Sequence, residues 1–270
     1  SSDVCSSDLS QDPKVFTMLH ASQAKWIAGY PDQALALAVE KDDLALLLKH
    51  PLVYQQALGW GNVVYLYRGE ADVLLSKSQE AHQLAEEQHI PFYIGGNLVW
   101  WGACLAQKGE HQSGVDKMQK GLAILEQTGA RIGRPMMLAL VAASKGKIDQ
   151  PEQGLADIEL ALAQVEKWGE RFYLAEIYRT QGDLLRQVER FEDAESAYQT
   201  SLEIAREQGA RSWELRTIIS LCDLFEVLDR GREIHDDLAT LLDWFQEGQG
   251  TQDLNRAEAL LSKHAAPKTA

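Results

Sequence analysis

The residues of this chain that could do chemistry are few, and most of their spacings fail on inspection. Gly109-Glu110-His111-Gln112-Ser113-Gly114 has the glycine spacing of a phosphate-binding loop. Val115-Asp116 stands where Lys-Ser/Thr must follow, so the phosphates would meet no cation and would face a carboxylate. The segment reads as a turn between helices. Gly59-Trp60-Gly61 begins a dinucleotide pattern, but Val64 replaces the third glycine and no strand precedes it. His82 and His89 lie two turns apart without carboxylate partners, and no His-Glu-x-x-His or Cys-x-x-Cys spacing occurs. There is no Gly-x-Ser-x-Gly elbow and no pair of carboxylates in an acid/base frame. No catalytic, cofactor or metal site is expected. What remains is recognition chemistry. Arg179, Arg186 and Arg216 carry planar guanidinium forks suited to carboxylates, with Asp183 and Asp223 near in sequence as internal neutralisers.

The elements that must position these arginines follow from an internal repeat. Gly29, Gly69 and Gly109 are 40 residues apart, and Asp149 and Glu189 continue the phase. Ala34, Leu74, Gly114, Gly154 and Ala194 form a second set, and Lys41, Ala81, Gly121, Ala161 and Ser201 a third. Ser22, Asn62, Gly102, Ala142, Gly182 and Cys222 form a fourth. A fixed period of this length, with no gap, is the signature of a stacked repeat. Each period reads as two helices. Leu174, Ile177, Tyr178, Leu184 and Leu185 follow helical spacing, Val188-Glu189-Arg190 breaks the run, and Phe191 to Ala205 forms a second helix closed by Gly209. The prolines fall at helix starts or outside helices.

Small residues where paired helices must cross are the tetratricopeptide logic. The expectation is an all-α, open, right-handed superhelix of about six antiparallel helix pairs, with a final helix from Gln252 to about Lys263. Gly182 should sit at a crossing, where a leucine would overpack by roughly 1–3 kcal/mol. Residues 10–264 form one domain in this reading, and 265–270 a disordered tail. The first nine residues, SSDVCSSDL, contain a near-duplicate and no periodicity. They read as a non-native, adaptor-derived segment preceding a fragment. Ile234-His235-Asp236 breaks the small-residue pattern, so the sixth pair is expected to cap the array.

In such a superhelix the first helix of each pair lines a concave groove. Phased on Gly182, the groove carries Trp26, Ile27, Leu66, Tyr67, Met136 and Ala139 towards its N-terminal end. Arg179, Asp183, Arg186, Arg216 and Asp223 lie towards its C-terminal end. That is an aromatic anchor region followed by an arginine-rich recognition region. Trp60 and Trp100 share a phase and read as inter-repeat core, and Cys104 and Cys222 as buried apolar residues.

Composition narrows the partners. With 26 Lys+Arg against 40 Asp+Glu, the formal net charge is -14, a poor match for a phosphate backbone. Nucleic acid is therefore not an expected partner. No apolar run approaches the ~20 residues of a membrane span. Three cysteines make no disulfide framework, so a cytoplasmic setting is expected.

Four stretches resemble a specific protein class. GYPDQALALA (29–38), QPEQGLADIELALAQVEKWGERFYLAEIYRTQGDLL (150–185), FEDAESAYQTSLEIAREQGARSWELRTIISL (191–221) and LLDWFQEGQGTQDLNRAEALL (241–261) resemble the C-terminal repeat region of large bacterial signalling proteins. Those proteins place a class III adenylate/guanylate cyclase or a DNA-binding domain first, then a STAND-type regulatory ATPase, then repeats. The resemblance implies a non-catalytic sensor or scaffold that holds a protein or peptide in its groove, possible targets including the parent's own upstream domains. The alternative it implies is a small-molecule inducer site of the kind found in maltose-regulator-like activators.

Overall fold

A computed structural model describes residues 12–231 and 233–265. The adaptor-like segment 1–9, with Cys5, lies outside the described residues, as does 266–270. The chain forms helices α1 (Pro13–Ile27), α2 (Pro31–Leu48) and α3 (Pro51–Gly59), followed by a 3₁₀ turn (Trp60–Asn62) and α4 (Val63–Arg68). Next come α5 (Ala71–Glu87), α6 (Pro91–Gln107), α7 (His111–Thr128), α8 (Arg134–Gly146) and α9 (Pro151–Trp168). The rest are α10 (Leu174–Gln187), α11 (Phe191–Glu207), α12 (Arg211–Val227), α13 (His235–Trp244) and α14 (Gln252–Ala265). Among the described residues there is no strand. Consecutive helices pack as α1/α2, the kinked α3–α4 on α5, then α6/α7, α8/α9, α10/α11 and α12/α13, with α14 against α12 and α13. The fold is all-α and tetratricopeptide-like, with the six pairs and final helix that the period predicts.

The period has a backbone cause. Residues 29, 49, 69 and so on to 229, each twenty after the last, all have positive φ. One left-handed residue therefore follows each of α1, α2 and α4 to α12. The residue after it reaches back five positions, as in Glu70 N–H to Tyr65 O at 2.9 Å and Arg190 N–H to Leu185 O at 3.0 Å. This closure satisfies carbonyls that a helix end would otherwise strand. Prolines 13, 31, 51, 91, 135 and 151 open six of the helices, where their missing N–H costs nothing.

The small-residue phases are helix crossings. A Cβ on Gly102 would lie 2.6 Å from Gly114 O, and Gly95 and Gly121 make the same approach one face along, so α6 and α7 cross backbone to backbone. At Gly182 the space is taken by the ring of Tyr198, whose hydroxyl donates to Asp183 Oδ1 at 2.7 Å.

The array is not open, and here the sequence expectation needs correction. The superhelix winds far enough for its first and last layers to meet. Ser212 Oγ donates to Trp26 O at 2.5 Å across 186 residues of chain. Glu247 accepts from the backbone N–H groups of Asp32 and Gln33 at 2.9 and 3.0 Å, capping α2 from the far end of the sequence. Gly248 N–H donates to Asp32 Oδ2 at 2.9 Å, and Trp244 meets the Tyr30 ring at 5.6 Å. The sixth pair thus seals a ring, where the sequence suggested a cap. The physical reason is the size of the concave side chains: Trp26, Tyr67, Tyr173 and Trp213 bury more apolar surface by meeting than by facing water.

Candidate binding site on the concave face

The aromatic end of the predicted groove is filled by its own residues. Trp26 and Tyr67 are each 3% exposed. The Tyr67 ring lies 4.6 Å from Trp26 and 5.0 Å from Trp213, and stacks on Tyr173 at 6.4 Å. Met136 is buried beside them and receives the Tyr67 hydroxyl at Sδ, 3.5 Å away. Burial raises the Tyr67 and Tyr173 phenols far above their ordinary value, so neither ionises near neutrality. Trp26 and Tyr67 therefore form a central plug, not the partner-facing anchors that their phase suggested. The sequence pattern identifies the concave face but not that the face closes on itself.

Two of the three predicted arginines are also engaged internally. Glu176, 1% exposed, receives Arg179 Nε at 2.6 Å and Nη2 at 3.0 Å, and Arg216 Nη1 at 3.4 Å. Burial pushes the Glu176 carboxyl up, but the two guanidiniums outweigh it and hold the group below the ordinary carboxylate value. Arg179 also donates to Asp183 at 2.6 Å. Arg216 donates to Asp253 at 2.7 Å and to Tyr67 O at 2.7 Å, with its guanidinium 4.7 Å from the centre of the Trp26 ring. These bonds join α4, α10, α12 and α14 across the ring. Arg179, Asp183 and Arg216 are placed together as the sequence predicted, but half-buried and with charges that already have partners.

Arg186 is different. It makes no direct salt bridge, although Tyr198, Asp183 and Asp223 lie around it, and it lines an open pocket of about 330 Å³ together with the exposed Lys147. Asp223, on the same rim, is paired with Arg256 at 2.6 Å. Arg179, Asp183, Arg216 and Asp253 line the same pocket, so its wall carries both signs of charge.

On the other side of the plug lies a second cavity of about 530 Å³, which the sequence did not reveal. Its walls are Phe16 and Ala24 of α1, Gln56 of α3, Trp60, Phe92 of α6, and the loops holding Gly133 and Phe172. Trp60 touches Trp100 at 5.5 Å, as inter-repeat packing requires, yet also faces this space. Phe16 lies on α1, Phe92 falls at the start of α6 and Phe172 just before α10, but Trp60 sits at the break between α3 and α4. Only the winding brings them round one void.

Lys41 is a further residue that sequence reasoning passed over. It stands in the phase of Ala81, Gly121, Ala161 and Ser201, yet is fully buried. Its Nζ donates to Ala57 O at 2.6 Å and pairs with Asp42 Oδ1 at 2.8 Å, while Lys77 takes Oδ2 at 2.8 Å. The ammonium occupies the room left by the absent side chain of Gly61. Gly59-Trp60-Gly61 is thus a helix break that admits a lysine. His82 packs on Trp101 at 5.7 Å and lies 3.5 Å from Glu86, and His89 falls beyond the end of α5, so the two histidines share no face. Among the described residues no group of His, Cys, Asp and Glu side chains is arranged to hold a metal ion. Cys104 and Cys222 are buried and unpaired, with thiols pushed up to about 11 and about 12 by burial, which makes them inert apolar filling.

Comparison with known proteins places this geometry in a class. The sequence model of the tetratricopeptide repeat matches residues 134–207. A Rhizobium meliloti (strain 1021) protein of uncharacterised function is 25% identical over 223 residues, covering 81% of this chain and 21% of its own length. The chain thus spans about a fifth of that relative. Among solved structures, aspartyl phosphate phosphatase F from Bacillus subtilis matches 87% of this chain and 60% of its own (TM-score 0.62, 14% identity). A Rap protein complexed with competence and sporulation factor matches 94% and 88% (TM-score 0.61, 16% identity). The tetratricopeptide sensor-bearing STAND protein from Pyrococcus horikoshii matches 92% of this chain and 38% of its own (TM-score 0.55, 13% identity). These likenesses establish a tetratricopeptide-like fold.

Proposed function

We propose that this chain is a non-catalytic sensor or scaffold module of a longer cytoplasmic signalling protein, and that it recognises a protein or peptide on its concave face. The carrying observation is the pocket lined by Arg186 and Lys147, a cationic pair in no direct salt bridge among the described residues, although Asp183 and Asp223 share its wall. Such a pair suits the carboxylates of an acidic peptide or of a free C-terminus. The fold likeness to a peptide-bound Rap protein and to a STAND sensor supports the class, as does the greater length of the Rhizobium meliloti relative. The cyclase or ATPase context rests on the sequence resemblance. Among the described residues no helix is long and apolar enough to cross a membrane.

The test uses a fluorescein-labelled peptide rich in Asp and Glu with a free C-terminus, titrated by anisotropy. Arg186→Ala with Lys147→Ala should weaken binding by about ten-fold or more, since each lost charge-assisted bond is worth roughly 1.5–3 kcal/mol. Arg179 and Arg216 are left intact because the fold uses them. Unchanged affinity in a variant with wild-type circular dichroism removes the site from this pocket. The 530 Å³ cavity favours a second reading, in which a small inducer is sensed and its occupancy relayed to an ATPase.

A further inference from the structure

The apolar cavity is not uniformly apolar: His20, Gln23, Gln56, Tyr93 and Glu170 also line it. Glu170 is the single charged side chain among its described lining residues. Both of its oxygens share one donor, the Gly133 N–H, at 2.9 and 3.1 Å. A carboxylate can accept about four hydrogen bonds, so most of its capacity is unused. Gln56 is 5% exposed, yet its Oε1 has no partner. Most of the remaining wall is aromatic and aliphatic, with Phe16, Trp60 and Phe172 in it, and His20, Gln23 and Tyr93 are its other polar side chains.

We propose that this cavity binds a small amphipathic cation, an ammonium carried on an aromatic or branched apolar body. The ammonium would lie against the Glu170 carboxylate, and the apolar body against the rings. Three facts converge on a cation and not merely an apolar molecule. The only charge among the described lining residues is negative. Aromatic faces attract cations, and the chain's net charge of -14 enriches cations around it. Burial raises the Glu170 carboxyl above its ordinary value, so the unliganded group lacks compensation that an ammonium would supply. At about 530 Å³ the cavity is of small-molecule size. Its walls come from α1, α3, α6 and the loops before α8 and α10, so occupancy joins the first layer to the fifth. This deepens the small-ligand form of the sensor reading and does not depend on the peptide form.

The test is calorimetric titration and thermal shift of the purified chain with three probes of one shape: 2-(2-naphthyl)ethylammonium, 2-(2-naphthyl)ethanol and 3-(2-naphthyl)propanoate. The ammonium should bind at least about ten-fold more tightly than the alcohol, and the carboxylate most weakly. Glu170→Gln keeps an acceptor for Gly133 and should collapse the preference for the ammonium. Ala24→Phe, at an exposed position facing the cavity, should block all three probes while the protein stays folded. Arg186→Ala should leave the preference unchanged, which separates this site from the anionic pocket. Equal or tighter binding of the carboxylate, a preference that survives Glu170→Gln, or no binding of any probe at millimolar concentration would each overturn the proposal. The last of these, together with binding of the acidic peptide, would overturn it and leave the peptide reading standing.

Discussion

A fully buried lysine is the clearest single-residue puzzle in this protein. The free energy of taking an ammonium out of water is recovered only if its partners are close and complete. Lys41 meets that condition through Ala57 O and Asp42, and Asp42 in turn is shared with Lys77. Asp42→Asn removes the anion that balances both lysines and leaves Lys41 buried beside a carbonyl alone. The expected loss is about 3–5 kcal/mol in urea unfolding. Lys41→Met, which removes the charge and keeps the volume, should fall within about 1 kcal/mol of the parent. A near-neutral Asp42→Asn would mean that the pair contributes little to the folded state.

At the scale of the helix, the repeat is a repeat of stops. The left-handed closing residue recurs every twenty positions whether or not glycine is present: Lys49, His89, Asp149, Glu189 and Asp229 adopt it at φ between 54 and 59°. An L-residue bears about 1–2 kcal/mol of strain there, and part of it is returned because glycine is more flexible when unfolded. Glu189 is exposed in the turn between α10 and α11. Glu189→Gly should therefore stabilise by about 0.5–1 kcal/mol. Gly169→Ala, in the same conformation with no neighbour near its Cβ, should destabilise by a similar amount or more. Chemical denaturation of both reads the result, and a loss of stability in Glu189→Gly would show that the turn is held by its side chain.

Across the whole molecule, one buried carboxylate governs closure. Glu176 ties Arg179 to Arg216, and Arg216 reaches Tyr67 O and Asp253 in other layers. Its folded-state pKa lies below the ordinary value of 4.5, so between the two pH values the unfolded chain binds more protons than the folded one. Stability from this group is full above 4.5 and falls as pH drops through the folded pKa. Tryptophan fluorescence from Trp26 and Trp213, which lie 4.7 Å apart in the plug, should report loosening in that acid range. Glu176→Gln should show the loosened signal already at neutral pH. Identical acid profiles in the parent and this variant would assign the transition to other carboxylates.

The sequence by itself determined the local and near-neighbour structure. Gly29, Gly69 and Gly109, the opening prolines and the small residues at Gly102 and Gly182 act over a few residues or one helix crossing. Chemistry of that range is written in residue type and spacing. It therefore announces six helix pairs, their boundaries and the concave face that carries Arg179, Asp183, Arg186 and Arg216. Tertiary structure alone decided what that face does. Whether Trp26 meets Trp213, or Glu247 meets the start of α2, depends on small rotations added over six layers, and no single residue encodes that sum. Once the layers met, burial turned the aromatic groove into a plug and tied Arg179 and Arg216 into internal ion pairs that Arg186 does not share. It also drew Phe16, Trp60, Phe92 and Phe172 from separate periods around a cavity floored by Glu170, a site that exists only because the superhelix closes.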